Sequence, residues 1–438
     1  MRKIIKGILL LLLIVLLGTI YKYYKQMAVV TSYAARTVCT CTFSGNRSLE
    51  NIKQYDLDYF PLNQAKFDID KKTKTVTASV LGLQSTQSVY KGISGCVTIR
   101  DNDDFKASYL PKESKPDLFP LKELDESKAS LTASLTELLD PYLDNSETKT
   151  RTILVMKNDT ILYERYGEGL NKDTPQLGWS MTKSITNALI GIATEKKLIN
   201  VNMTKLFPEW ENDPRSRITL QHLLQMNSGL QWEEDYSAIS DATEMLFLSE
   251  DIVASTKDNL NEFPPTLEWE YSSGSTNQVL GVLRDKLGDE VYHSFPKTEL
   301  FDKIGMTSAF IEKDESGNFI GSSYGYATAR DWAKFGLLYL NDGLRPDSLR
   351  VLPVDWVNYT SRPVNSVTRN YGSHWWLNDR NCAFKDVPGD LFYASGFRGQ
   401  YVFVIPSEDL VVVRLGQSEK LDINTFLSEI IKTINSTD

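Results

Sequence analysis

An α+β fold is predicted by three features of this 438-residue chain. Two apolar runs flank Lys157-Asn158-Asp159-Thr160 and read as a hairpin. A second hairpin, Gln400 to Ile405 and Leu410 to Leu415, lies near the other end. Helical periodicity near Ser130 to Leu143 and over Ile423 to Ile434 brackets both hairpins, and the long stretch between them is dominated by helical patterns. The expected architecture is an antiparallel sheet flanked by terminal helices, with a helical lobe inserted between its strands and a small strand-rich region ahead of it. A cleft between the sheet and the lobe is the expected place for a site.

A hydrophobic content of 41% is enough to bury a large core. The net charge of −9, with no basic stripe interleaved with aromatics, argues against a nucleic-acid partner.

Taken in order, the chain opens with Arg2, Lys3 and Lys6, an apolar run from Gly7 to Ile20, and then Tyr21, Lys22, Tyr23, Tyr24 and Lys25. Residues 1–26 read as an export signal or membrane anchor, with residues 4–20 facing the membrane. No small-x-small cleavage site follows closely, which favours an uncleaved anchor. The body is then expected outside the cytoplasm, in a bacterial periplasm or at a cell surface. Residues 27–120 show short extended pieces, such as the alternating Lys74 to Val80 and Gly95 to Arg100, and end in the charged, proline-rich run Pro111 to Pro120. They predict a strand-rich module and linker without catalytic residues. Cys96 is expected to bond Cys39 or Cys41 in an oxidising compartment. With no C-x-x-C pair, and with His222, His293 and His374 scattered, neither a metal nor another cofactor is expected.

The chemistry is expected in the third region, residues 121–438. In Gly178 to Ala193, Met181, Ile185, Ala188, Leu189 and Ile192 recur at helical spacing, which places Ser180 at a helix N-terminus with Lys183 on the same side. A hydroxyl beside an amine able to take its proton is a candidate nucleophile and base. The S-x-x-K pattern occurs four times in the chain, but only the copy at Ser180 opens a long amphipathic helix, whose free N–H groups favour negative charge. Tyr271 precedes a second helical pattern beginning near Asn277. Beside a cationic lysine its phenol can lose its proton below the free pKa and serve as base or proton relay. In Tyr393 to Pro406, Gly396 and Gly399 allow backbone close to a substrate, and an N–H just after Gly396 can face the cleft. Arg398 offers a guanidinium for a substrate carboxylate.

Together these pieces resemble the penicillin-recognising serine hydrolases, the superfamily of class C β-lactamases, D-alanyl-D-alanine peptidases and esterases, over about residues 120 to 436. Ser180-Met181-Thr182-Lys183 is similar to its S-x-x-K, Tyr271-Ser272-Ser273 to its Y-x-N with serine in place of asparagine, and Ala394-Ser395-Gly396 to its K-T-G or H-x-G strand without the basic residue. Gly396 to Gln400 and Tyr371 to Trp376 look most like the 6-aminohexanoate-dimer hydrolase and esterase branch. The resemblance implies an acyl-enzyme on Ser180, with Lys183 and Tyr271 sharing the proton work and the backbone N–H groups of Ser180 and Phe397 forming an oxyanion hole. Ser273, Ser395, Gly396 and Arg398 would contact a small ester or amide substrate. A binding module that keeps the fold without turnover is the alternative. A Ser-His-Asp hydrolase would need a G-x-S-x-G elbow, which the chain lacks.

Overall fold

The computed structural model describes residues 2–100, 117, 119–125 and 129–437. Most of the run read as a linker, 111–120, lies outside the described residues. Helix α1 (Arg2–Phe43) crosses the expected boundary at residue 26 without a break. Its second half carries the small residues Ala34 and Ala35 and the branched Val38, all fully buried. They pack on an antiparallel sheet of β1 (Lys66–Asp70), β2 (Thr75–Val80), β3 (Gln84–Tyr90) and β4 (Cys96–Ile99). Val76, Ala78 and Val80 alternate inward along β2, so one face of this sheet meets the helix.

The expected membrane span through residues 4–20 is corrected. Among the described residues, no helix is long and apolar enough to cross a membrane. Lys6 and Lys22 leave 15 uncharged residues between them, against the ~20 that a span requires. Residues 8–15 and Leu17 of the apolar run are exposed, and the second half of the same helix is built into the protein.

The choice left open between two cysteines is settled in favour of Cys39, whose disulfide with Cys96 ties α1 to β4. The Cys41 thiol accepts a hydrogen bond from Arg47 Nη1 at 3.5 Å, and burial pushes its pKa up to about 12.

The larger sheet has the order β8-β9-β10-β11-β6-β7-β5. Its strands are β5 (Lys122–Glu123), β6 (Thr150–Lys157), β7 (Thr160–Tyr166), β8 (Trp376–Leu377), β9 (Phe392–Gly396), β10 (Gln400–Ile405) and β11 (Leu410–Gly416). Only the short edge strand β5 pairs in parallel, with β7. The strands read as continuous apolar runs because both faces are buried. Ile153, Val155, Phe403 and Val412 face the terminal helices α2 (Ala129–Leu143) and α7 (Ile423–Thr437) through Leu131, Leu135, Leu139, Phe426 and Ile430. Leu154, Met156, Val402, Val411 and Val413 face the helical lobe. The lobe holds α3 (Thr182–Glu195), α4 (Asp241–Leu248), α5 (Ser273–Leu287) and α6 (Ala329–Leu340). A Cβ at Gly336 on α6 would lie 2.7 Å from Val411 Cγ1 and 2.9 Å from Val402 Cγ1, so glycine is what lets this helix lie on the sheet.

The amino-terminal module joins the rest of the protein through a buried polar junction. Glu312 accepts from Cys96 N at 2.7 Å and from the Thr40 hydroxyl, with Arg36 Nη1 3.9 Å away. Burial pushes the Glu312 carboxyl up to about 7. On the same helix, Tyr33 stacks on Trp179 with ring centroids 5.7 Å apart. The module read as free of catalytic residues thus touches the residue next to Ser180.

The bridge closes a loop across a sequence separation of 57 residues. Cys96→Ser should lower the stability of the full chain by about 2–4 kcal/mol, read as a fall in the urea midpoint. Cys41→Ser should leave the response to reductant intact.

Candidate active site

Ser180 sits in a single 3₁₀ turn, Trp179–Met181, that leads directly into α3. Trp179 holds a left-handed backbone with φ 49°, a costly conformation for a bulky residue. Its surroundings fix it. The Gly178 N–H donates to Gly325 O at 2.8 Å, Thr182 Oγ1 donates to Trp179 O at 2.7 Å, and Gly325 N donates to Thr182 Oγ1 at 2.8 Å.

One turn on, Lys183 is 1% exposed. Its Nζ donates to Ser180 Oγ at 3.0 Å, Ser273 Oγ at 2.9 Å and Ser322 O at 3.1 Å. Three donors meeting three acceptors satisfy a buried ammonium. Burial lowers its pKa to about 8, with the Glu234 carboxylate working in the opposite direction. The ammonium also lies 4.7 Å from the centre of the Tyr271 ring.

Tyr271 stands on the turn before α5 and is held among Tyr371, Trp376 and Trp269 at centroid distances of 6.0, 5.6 and 6.5 Å. Burial pushes its phenol above the ordinary tyrosine range. Glu234 adds to that, and a hydrogen bond to Ser180 opposes it. The expectation of a phenol ionised below its free pKa is therefore corrected. Burial and the nearby carboxylate outweigh the hydrogen bond to Ser180 and keep the proton on the oxygen.

Glu234 is a site residue that sequence reasoning did not single out. Its carboxylate accepts from Ser273 N at 2.9 Å, Ser273 Oγ at 2.5 Å and Tyr236 OH at 2.7 Å, and from the Trp232 indole. The available signal was an acidic residue between aromatics two positions away on each side. Ser273, read as a substrate contact, is fully buried with its hydroxyl engaged by both Lys183 and Glu234.

Strand β9 closes the other side. A Cβ on Gly396 would come within 2.1 Å of Gly178 O and 3.1 Å of Trp179 Cβ. Glycine is required here for approach to the nucleophile turn, rather than to a substrate as the sequence suggested. Phe397 follows, its ring edge-on to Trp179 at 5.5 Å. Among the described residues, no group of three or more His, Cys, Asp or Glu is placed to hold a metal.

Comparison with known proteins agrees with this geometry. The sequence model described as Beta-lactamase matches residues 135–424, about two thirds of the chain. The chain belongs to the beta-lactamase family. It is accordingly a serine hydrolase acting on amide or ester bonds. A 6-aminohexanoate-dimer hydrolase of Paenarthrobacter ureafaciens is 26% identical over 323 residues, covering 66% of this chain and 78% of that protein. A solved Bacillus anthracis structure superposes with a TM-score of 0.58 at 19% identity, covering 89% of this chain and 96% of that one. A family VIII carboxylesterase superposes at 0.56 and 13% identity, covering 70% and 98%.

Two further expected contacts of this beta-lactamase-family hydrolase have other partners. Arg398 stacks its guanidinium 3.6 Å from the centre of the Tyr59 ring and donates from Nη1 to Gln417 Oε1 at 3.1 Å. Ser395 pairs across the ladder with Tyr401 and lies beside that phenol. Of the histidines, His222 caps a helix by accepting from Thr219 N through Nδ1, and His374 is buried with Nε2 3.1 Å from Thr276 Oγ1.

The contact at Gly396 is directly testable. Gly396→Ala should cost about 1–3 kcal/mol of stability by pressing on a backbone carbonyl that cannot move aside. Thermal and urea unfolding read this, and an unchanged midpoint would refute the close approach.

Proposed function

We propose that this hydrolase cleaves a carboxylic ester or linear amide through an acyl-enzyme on Ser180. The observation that carries the reading is the buried Lys183 amine, 3.0 Å from Ser180 Oγ with a pKa lowered to about 8. A large fraction of it is neutral near that pH, so it can take the serine proton as Oγ attacks the carbonyl. The backbone N–H groups of Ser180 and Phe397 would receive the oxyanion. A donor of this kind is worth on the order of a hundredfold or more in rate. Tyr271, kept protonated, supplies a proton to the leaving oxygen or nitrogen. The Lys183 ammonium returns its proton to Tyr271, and water then resolves the acyl-enzyme, the neutral amine taking the water's proton and passing it to Ser180 Oγ as the acyl group leaves.

Glu234 tunes this cycle. Its charge offsets part of the effect of burial on Lys183, holding the amine's pKa close to neutral rather than far below it. The intact contact between serine and lysine favours turnover over the binding-only alternative. An open-chain ester or amide is favoured over a β-lactam. Ala394, where the resemblance puts a basic residue, is buried, and Ser273 is committed to Lys183 and Glu234. The named relatives, a dimer hydrolase for a linear amide and a carboxylesterase, fit this substrate class. The Cys39–Cys96 bridge suits an oxidising, extracytoplasmic address.

A fluorophosphonate probe should label the wild type on Ser180, and Ser180→Ala should abolish labelling; equal labelling of the variant overturns the assignment. The rate of acylation should rise with pH, reach half its plateau near pH 8 and level off above it, because only the neutral amine accepts the proton. Glu234→Gln removes the charge that favours the ammonium, so Lys183 should titrate lower and the rising limb should move to lower pH. A limb that stays in place, or moves upward, would show that Glu234 does not act on Lys183.

A further inference from the structure

The aromatic wall beside the nucleophile has a second side. Phe397 packs between Trp179 and Tyr236, at 5.5 and 5.2 Å, so three rings stand together next to Ser180 and its expected oxyanion donor. The same three rings line a cavity of about 400 Å³. Its other walls come from α1, through Val29, Val30 and Tyr33, from Tyr59 to Leu62, and from Ser237 to Ile239 with α4. None of the lining residues is Asp, Glu, Lys, Arg or His. The hydroxyls that reach it are already engaged. Tyr59 bonds Tyr33, Tyr236 donates to Glu234, and Thr243 donates to Ala238 O. The nearby Arg398 is held on the Tyr59 ring and by Gln417.

We propose that this cavity is a subsite for an uncharged, apolar arm of the substrate, an alkyl chain or aryl group attached to the carboxyl function that Ser180 attacks. Three observations argue for that occupant. The cavity borders the reaction centre, because it is lined by Trp179, the residue before Ser180, and by Phe397, which carries the expected oxyanion N–H. Apart from the Gln26 amide and the engaged hydroxyls, the lining is aromatic and aliphatic and offers no counter-charge, which disfavours an ionised substituent. The volume is in the range of small-molecule pockets. Helix α1 then acts as a specificity element, because it supplies one wall of the subsite. This inference rests on the Ser180 acyl-enzyme reading and refines its substrate class.

The test uses the full chain and two series of neutral esters, one lengthened on the acyl side and one on the alcohol side, from two to about eight carbons. In one of the series kcat/KM should climb about fourfold per methylene, the factor that corresponds to ~0.8 kcal/mol for each buried CH₂. Val29→Trp and Ala238→Trp fill the cavity from two different elements. Each should remove tenfold or more of the preference for the long ester while leaving acetyl-ester turnover and fluorophosphonate labelling of Ser180 unchanged. Ala238→Leu provides a milder filling should either tryptophan variant fail to fold, with a proportionately smaller loss. No length dependence in either series, or a preference for an ester ending in an ammonium group, would overturn the subsite while the labelling still supports the acyl-enzyme. Absence of labelling on Ser180 would instead remove the acyl-enzyme reading.

Discussion

An amine removed from water must have its donors satisfied or lose its charge, and that constraint organises the centre of this molecule. Lys183 meets it with three oxygens from three separated segments: the turn before α3, the first residue of α5, and a carbonyl at Ser322. Each segment needs its own support. Asn277 on α5 accepts from Ser322 N and donates to its hydroxyl, both at 3.1 Å, fixing the third acceptor. The turn at Ser180 is held from below by Thr182 and Gly325 and from the side by β9. The position of one ammonium group thus binds the helical lobe to the sheet, and the chemistry follows from it. The same burial that demands partners also lowers the amine's pKa to about 8.

The two sides of the proton-transfer pair are pushed apart by similar surroundings. Burial disfavours whichever form is charged, so it lowers an amine and raises a phenol. Glu234 raises both. Its net effect is to moderate the lysine and to secure the proton on Tyr271, which separates the base from the acid by environment alone.

Much of this was legible in the sequence where the signal was local. The hairpins at Thr150–Tyr166 and Gln400–Gly416 and the helices at both ends announce themselves by apolar runs, turn residues and period. Ser180 and Lys183 are three residues apart on a helical pattern, so their contact could be read from spacing. Glu234 could not. It reaches Ser273 across a separation of 39 residues, and the aromatics two positions away on each side suit a solvated turn as well as a cleft. The direction in which the Tyr271 pKa moves was missed for a related reason, since a neighbouring lysine is visible in sequence while enclosure by Tyr371 and Trp376 is not. Arg398 was matched to a substrate because Tyr59, its stacking partner, lies in a region read as a separate module. The apolar start of α1 carries a membrane signature, and its continuation into a buried half depends on contacts with β2 and β3 that lie far along the chain.

Glu312 bears on where this hydrolase can be said to begin. Sequence likeness to the family starts at residue 135, yet the carboxylate at 312 draws its hydrogen bonds from Thr40 and Cys96 and its nearest cation from Arg36. A fragment trimmed to the matched segment would keep the acid and discard everything that solvates it. It would also strip Tyr33 from the face of Trp179. Expression of a minimal catalytic fragment is therefore a poor strategy for this protein, and its shortest self-sufficient unit is set by a buried charge far upstream of the region that resembles its relatives.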